Sequence, residues 1–257
     1  MIRAGDLVQL VSPKGKRYLT VVEPGREFHT HDGRLSLEEL TDKEFGERIA
    51  THLGREYGIF KPTLYDLLKK IERRTQIMYP KDIGYIMIKL GVGPGSSVLE
   101  AGSGSGSLTT ALAWFVGSQG RVHTFEKRQE FSDLCAKNLG RIGLDQQVVQ
   151  HRHDIADGFG LKDIDAGFID VRTPWDYLDP LAEAVRNGSP VGFLLPTTNQ
   201  VSRLLSGLEE APFTELEVME ILVRRYKPVS DRLRPDDRMV AHTGYLVFAR
   251  CQKEPGR

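Results

Sequence analysis

Cysteine is scarce: Cys135 and Cys251 are the only two in 257 residues. Two thiols do not make a metal-binding cluster, and they do not suggest a disulfide framework. A reducing, cytoplasmic setting is the expectation. Long apolar runs are absent as well, and nothing approaches the ~18 residues of a membrane span. The opening MIRAGDLVQLVSPKGKRY lacks the charged head, apolar stretch and cleavage site of a secretory leader. An excess of one charge is also missing, since Lys plus Arg is 35 and Asp plus Glu is 35. A polyanionic partner must then be held by a local patch, not by overall charge. There is no internal repeat and no low-complexity tract. What is present is globular material: 40% apolar and 27% charged residues, enough for a buried core. The length suits one large domain, or a medium domain with a small appendage.

Residues 1–60 carry short β-type runs at Leu7–Leu10, Tyr18–Val22 and Gly58–Phe60, separated by turn signals such as SPKGK and EPGRE. Short strands this close together predict a small β-rich domain, in the manner of an open barrel. Pro62 opens a helix reaching Arg74, with apolar Leu64, Leu67, Leu68 and Ile71, and residues 61–75 read as a linker helix. Residues 76–257 change character. Helices are expected at Asp82–Leu90, Leu108–Val116, Arg128–Ile142, Tyr177–Arg186 and Gln200–Leu208. Strands are expected at Ser97–Ala101, Arg121–Glu126, Gln147–Gln150, Ala166–Asp170 and Val191–Leu195. This alternation predicts an α/β fold with a parallel, doubly wound, Rossmann-like sheet. Two closing strands, Leu216–Tyr226 and Gly244–Arg250, predict an antiparallel hairpin at one sheet edge. A polar insert, PVSDRLRPDDRMVA (228–241), separates them.

VLEAGSGSGSLT, Val98 to Thr109, sends a strand into Gly102, Gly104 and Gly106 and then into a helix. Glycines tolerate positive φ and let the backbone approach a ligand. Free N–H groups at the helix start, around Ser105, Ser107 and Leu108, favour polar or anionic groups. The pattern alone fits a dinucleotide site or simply a tight strand-to-helix turn. Acidic residues tilt the choice toward S-adenosylmethionine over NAD. Glu100 precedes the glycines, placed to organise the loop and face an ammonium. Glu126 ends the next strand, where both nucleotide types have their ribose acceptor. Asp154, in RHDIAD, can accept from an adenine amino group. Asp170 ends the fourth strand, beside the glycine turn if the strand order reverses there, and ligands of open α/β sheets sit at such points. Phe131, five residues past Glu126, either flanks the cofactor adenine or belongs to a helix core.

With these residues in view, 75–257 resembles a class I S-adenosylmethionine-dependent methyltransferase. The whole chain resembles the bacterial and archaeal tRNA adenine-N1 methyltransferases that modify the T-loop adenine conventionally numbered 58. The resemblance is carried by GREFHTHDG (25–33), QIMYPKD (76–82), VLEAGSGSGSLT, IDVRTPW (169–175), TNQVSRLL (198–205) and HTGYLVFAR (242–250). These segments follow family order over nearly the full length, and QIMYPKD and HTGYLVFAR are the ones that narrow the family. One departure is Arg172: the chain has D-V-R-T-P-W where many members carry a D-L-x-x-P-W stretch.

The resemblance implies an enzyme that methylates N1 of adenine in tRNA, with S-adenosylmethionine as cofactor, tRNA as partner and a homotetrameric assembly. It also implies that Asp170 accepts from the exocyclic N6 of the target base. The chemistry agrees. N1 already bears a lone pair, so no strong base is needed, but attack places positive charge on the ring. The DPPY or NPPY motif of exocyclic-amine methylation is absent. Tyr79 precedes Pro80, which biases its backbone to an extended form. Its ring either covers the cofactor or target base, as a second catalytic candidate, or packs a helix start. His242 and Thr243 enter the last strand, to line the target pocket or to serve the structure. The base must be extruded to expose N1, and phosphate contacts supply much of the affinity. The basic candidates are Lys14, Lys16 and Arg17, then Lys69, Lys70, Arg73 and Arg74. A third group is Arg224, Arg225 and Lys227 with Arg232, Arg234 and Arg238, the last three being the RNA contacts proposed for the insert. Two alternatives remain: a methyltransferase for a small molecule or protein, and a non-catalytic RNA-binding subunit of the same fold. The glycine turn and the strand-four aspartate argue for activity.

Overall fold

Short runs of alternating apolar residues build the first of two units, Met1–Lys70 and Ile71–Arg257. The computed structural model describes residues 1–74 and 77–253. Thr75, the last residue of the expected linker, and Gln76, the first of QIMYPKD, lie outside the described residues.

The strands of the first unit are β1 (Leu7–Val11), β2 (Arg17–Val21), β3 (Glu27–Thr30), β4 (Gly33–Ser36), β5 (Arg48–Ala50) and β6 (Glu56–Phe60). Four of them form an antiparallel sheet in the order β2-β1-β6-β5, and β3 and β4 form a separate hairpin. Val8, Leu10, Ile49 and Ile59 point into one core with Leu35 and Leu40. Tyr57 is buried among them, and its hydroxyl donates to the Asp32 carboxylate (2.9 Å), which anchors the hairpin that GREFHTHDG begins. Strands β3 to β5 escape sequence reading because each has only three or four residues, with no more than two of them apolar.

Helix α1 (Leu64–Lys69) starts at a capping box between Thr63 and Asp66. It is shorter than the expected helix to Arg74. The Glu72 N–H donates to Asn138 Oδ1 (3.1 Å), and the Glu72 carbonyl accepts from Asn138 Nδ2 (2.9 Å). Those bonds take up backbone groups that a longer helix would have used.

The second unit alternates: α2 (Pro80–Lys89), β7 (Ser97–Ala101), α3 (Ser107–Val116), β8 (Arg121–Phe125), α4 (Gln129–Ile142), β9 (Val148–His151), β10 (Ala166–Ile169), α5 (Leu178–Ala184), β11 (Pro190–Leu195) and α6 (Thr198–Glu210). It closes with β12 (Phe213–Met219), a two-residue ribbon of β13 (Tyr226–Lys227) and β14 (Arg234–Pro235), and β15 (Tyr245–Cys251). Seven strands form one sheet in the order β12-β15-β11-β10-β7-β8-β9. Strands β7 to β11 run parallel, and β15 is antiparallel to both β11 and β12. The doubly wound sheet and its antiparallel edge are as expected. The strand expected at Leu216–Tyr226 is not: β12 begins at Phe213, whose side chain is buried and which pairs with Cys251, and stops at Met219, opposite Leu246. Beyond Leu246, β15 has only Tyr245 left, so it cannot carry β12 on to Tyr226. On one face, Leu99, Ile169, Phe193 and Val247 from neighbouring strands pack in one core with Leu181 of α5 and Leu204 of α6.

Candidate active site

The chain lays down β7, β8 and β9 outward, then returns to put β10 on the other side of β7. The order therefore reverses between β7 and β10, and a crevice opens beyond their carboxyl ends. A cavity of about 480 Å³ fills it, within the ~300–1,000 Å³ usual for small-molecule sites. Four adjacent strand ends supply its wall: Gly102 after β7, Glu126 after β8, Asp154 after β9 and Asp170 after β10. A larger hollow of about 950 Å³ lies by Asp163, Arg186 and Asn187, at the amino ends of β10 and β11, away from all of these residues.

Gly102 and Asp170 are in backbone contact. The Asp170 N–H donates to the Ala101 carbonyl (2.8 Å), and a Cβ on Gly102 would lie 2.1 Å from the Asp170 carbonyl oxygen. Gly102 also holds a φ of +92°. Only glycine fits that conformation at that distance. Gly106 caps α3 in the left-handed region, with no side chain satisfying the first N–H groups. The hydroxyls of Ser103 and Ser105 are buried, and neither has a partner among the described residues. Neither serine lines the cavity; it is the uncapped helix start that suits a polar or anionic ligand group.

Glu126 has each lone-pair site engaged. It accepts from the Gly104 N–H (3.3 Å), the Arg128 N–H (3.1 Å), and Arg128 Nε (2.9 Å) and Nη2 (3.1 Å). Burial pushes its carboxyl up, but the Arg128 bonds outweigh this and hold it below its ordinary value. A ribose accepted by both oxygens would replace the two guanidinium bonds. Asp154 accepts from the Ala156 N–H (3.2 Å) and from Lys127 Nζ (3.2 Å), in that order of effect, and both hold it below its ordinary value. Asp170 is open to the cavity and hemmed in by protein elsewhere, and this desolvation pushes its carboxyl up to about 7.

Other candidates sit off the wall. Glu100 is 1% exposed, and its Oε2 accepts from the hydroxyls of Thr109 and Thr124 (both 2.6 Å). Burial pushes it up to about 7. It ties β7 to α3 and β8 beneath the loop instead of facing the cavity. Phe131 is a buried residue of α4, with the Arg128 guanidinium 4.0 Å from its ring centre. Leu108 is in the core. The Ser107 hydroxyl donates to the Met78 carbonyl (3.2 Å), which holds the segment carrying Tyr79 against the start of α3. Tyr79 precedes α2 with a ψ of 148°, the extended form that Pro80 favours.

Lys81 and Asp82, beyond Tyr79, reach Thr243. Lys81 Nζ donates to Thr243 Oγ1 and to Asp82 Oδ1 (both 2.6 Å), and Thr243 donates to Asp82 Oδ2 (3.0 Å). His242 donates from Nδ1 to Glu220 (2.6 Å) and from Nε2 to the Pro196 carbonyl (2.9 Å). Two acceptors require the imidazolium, and Glu220 above all raises its pKa. Both ring nitrogens are thus committed within the fold. Arg232, Arg234 and Arg238 are exposed on the insert and are not part of the cavity wall.

Sequence reading did not assign Lys127, Arg128 or His153 to the site. For Arg128 and Lys127 a signal existed: cations one and two residues past an acidic strand end are poised to bond it. On this geometry, Glu126→Ala is expected to weaken S-adenosylmethionine binding by roughly 1–3 kcal/mol, the scale of charged hydrogen bonds. Calorimetry giving the parental affinity would remove Glu126 from the site.

Residues 59–234 match the family described as "tRNA methyltransferase complex GCD14 subunit", and residues 1–47 match "TrmI-like N-terminal". The tRNA (adenine(57)-N(1)/adenine(58)-N(1))-methyltransferase TrmI of Methanocaldococcus jannaschii is 33% identical, over 96% of this chain and 95% of that one. The solved structure of the tRNA (m1A58) methyltransferase TrmI from Aquifex aeolicus is 39% identical with a TM-score of 0.83, covering 98% of this chain and 99% of that one. A Thermotoga maritima structure described as a SAM-dependent O-methyltransferase is 42% identical with a TM-score of 0.91, covering 100% of this chain and 96% of that one. The chain belongs to the TrmI/GCD14 family, with the class I fold of S-adenosylmethionine-dependent methyltransferases.

Proposed function

We propose that this protein transfers a methyl group from S-adenosylmethionine to N1 of the T-loop adenine of tRNA, position 58 in its relatives' names. The observation that carries the reading is Asp170, set against Gly102 at the strand-order reversal of a cavity built for a nucleotide. Bound S-adenosylmethionine supplies an electrophilic methyl on a sulfonium, and the chain's residues bind and align. Glu126 receives the ribose, Asp154 the adenine amino group, and the backbone of the glycine turn the methionine end. Asp170, ionised, accepts from N6 of the target base and offsets the charge that attack places on its ring. Tyr79, held near the start of α3 through Met78, contributes an aromatic face to the same site.

The test is incubation with unmodified tRNA and labelled cofactor, followed by nucleoside analysis. Label in 1-methyladenosine is the expected result. Label on a ribose oxygen would instead favour the activity named for the Thermotoga relative, and no label in RNA would overturn the reading.

The insert carries Arg232, Arg234 and Arg238 among Asp231, Asp236 and Asp237, so its basic residues are partly balanced. Arg234 already lies 3.6 Å from Asp237. Changing the three arginines to alanine is expected to flatten the salt dependence of tRNA binding by ~0.7–0.9 log units for each phosphate the insert no longer holds. A parental slope would exclude the insert from the RNA surface. Exposed apolar residues crowd the same region, among them Leu222, Tyr226, Val229, Leu233 and Val240. A homotetramer would bury them between copies, and analytical ultracentrifugation reads that assembly. A cytoplasmic setting suits the tRNA substrate, and no described helix is long and apolar enough to cross a membrane.

A further inference from the structure

Four side chains able to carry positive charge stand on the cavity wall: Lys127, Arg128, His153 and Arg172. Three are committed. Lys127 bonds Asp154 (3.2 Å), Arg128 bonds Glu126 (2.9 Å), and the His153 ring meets the Gly158 carbonyl (3.1 Å). Arg172 is exposed, and its guanidinium has no hydrogen-bond or ion-pair partner among the described residues. Its backbone, by contrast, is pinned. Gln200 Nε2 donates to the Arg172 carbonyl (3.2 Å), while Gln200 Oε1 accepts from the Thr197 hydroxyl (2.8 Å). Three residues on, the Trp175 ring lies 4.5 Å from the Arg203 guanidinium. A held loop with one uncommitted arginine at a cavity mouth is a built contact point, because little backbone ordering remains to be done when the ligand arrives.

The wall's own carboxylates do not claim Arg172. Glu126 and Asp154 have their own cations. Asp170, two residues away, is shifted by desolvation with no arginine drawing it back. The guanidinium is therefore left for an incoming anion. The reaction brings two kinds. On the functional reading above, the cofactor's carboxylate goes to the backbone of the glycine turn and the start of α3, where no side chain caps the helix. The RNA strand meets no other free cation among the described residues of this wall, and a base extruded toward Asp170 brings the phosphates on either side of its sugar to the mouth. We propose that Arg172 binds a backbone phosphate of the RNA strand that delivers the target base to Asp170. The planar guanidinium fork matches two phosphate oxygens at once, which a lysine does not. This assignment rests on tRNA being the substrate.

The experiment compares the parent protein with Arg172→Ala and Arg172→Lys. It measures tRNA binding across a salt series, S-adenosylmethionine binding by calorimetry, and methyl transfer by the parent. In Arg172→Ala, tRNA affinity falls about tenfold or more at low salt, and the slope of log K against log salt flattens by ~0.7–0.9. Arg172→Lys keeps the slope, because it keeps the charge, and recovers only part of the affinity. Cofactor affinity stays within about twofold in both, since on this assignment the cofactor makes no charged hydrogen bond to Arg172. A parental slope in Arg172→Ala, from a parent that does methylate tRNA, overturns the assignment alone. Weakened cofactor binding with the slope intact also overturns it, and moves Arg172 to the cofactor's carboxylate. A parent that neither binds nor methylates tRNA overturns the functional reading itself, and the assignment falls with it.

Discussion

Replacing Asp170 with asparagine is expected to slow single-turnover methyl transfer to tRNA by ~10²–10³ at saturating cofactor. The substitution keeps the shape but turns one acceptor into a donor, which would face the N6 donors or force the amide to flip. In the proposed role its main partner is the target base, so folding and most cofactor affinity should survive. The pH profile adds a second signature. The Asp170 carboxyl of the free protein is pushed up to about 7, so it is largely protonated below that pH and ionised above it. Offsetting the charge that develops on the adenine ring needs the ionised form. kcat/KM for tRNA should therefore climb as pH rises through about 7. Asp170→Asn should lack that climb. Glu100 titrates in the same range but sits off the wall, so Glu100→Gln should retain it. A rate for Asp170→Asn within about threefold of the parent, far from the expected loss, would make Asp170 a structural residue and end the mechanism.

The other large effect belongs to Gly102→Ala. Its Cβ would lie 2.1 Å from the Asp170 carbonyl oxygen, at a φ of +92°. The oxygen is backbone, and the N–H of its own residue is tied to Ala101 (2.8 Å), so it cannot simply swing away. Positive φ in a non-glycine costs ~1–3 kcal/mol, and overpacking adds ~1–3 kcal/mol. The ends of β7 and β10 must separate, which moves Asp170 and opens the cofactor turn. The expected outcome is a lower Tm together with loss of S-adenosylmethionine binding. Gly104→Ala is the control: its φ is +51° and nothing lies within 4 Å of its Cβ position, so it carries backbone strain without a clash. Parental Tm and cofactor affinity in Gly102→Ala would show that the close approach has no consequence.

The parallel sheet was legible because its strands are short, β7, β8 and β10 run directly into Gly102, Glu126 and Asp170, and the helices between them have their own apolar periodicity. The acidic residues on the wall were legible for the same reason: strand ends meet at the switch point whichever helices cover the faces. Glu100 was harder. Side chains alternate along a strand, and whether that carboxyl meets a ligand or two threonines depends on Thr109 of α3 and Thr124 of β8, which no local pattern reveals. The tie from Lys81 to Thr243 joins residues 162 apart and has no sequence signature. The end of β12 was misplaced because a strand stops where its neighbour stops, and apolar residues past Met219 look the same on paper. The end of α1 was misplaced because Asn138, far along the chain, captures Glu72.

The position of β15 sets an order of assembly. It is the last strand in the chain, yet it lies between β11 and β12 and is the only sheet partner of β12 among the described residues. Until residues 245–251 have been made, β11 is an open edge and β12 has nothing to join. Two strands must then zip in as one late, long-range event, the kind of step that leaves an unpaired edge exposed during synthesis. Thr243, just ahead of β15, reaches Lys81 and Asp82 in the same event. Closure of the sheet and fastening of the segment beside Tyr79 are thus one transition, so the site becomes complete only when the last strand of the sheet has docked.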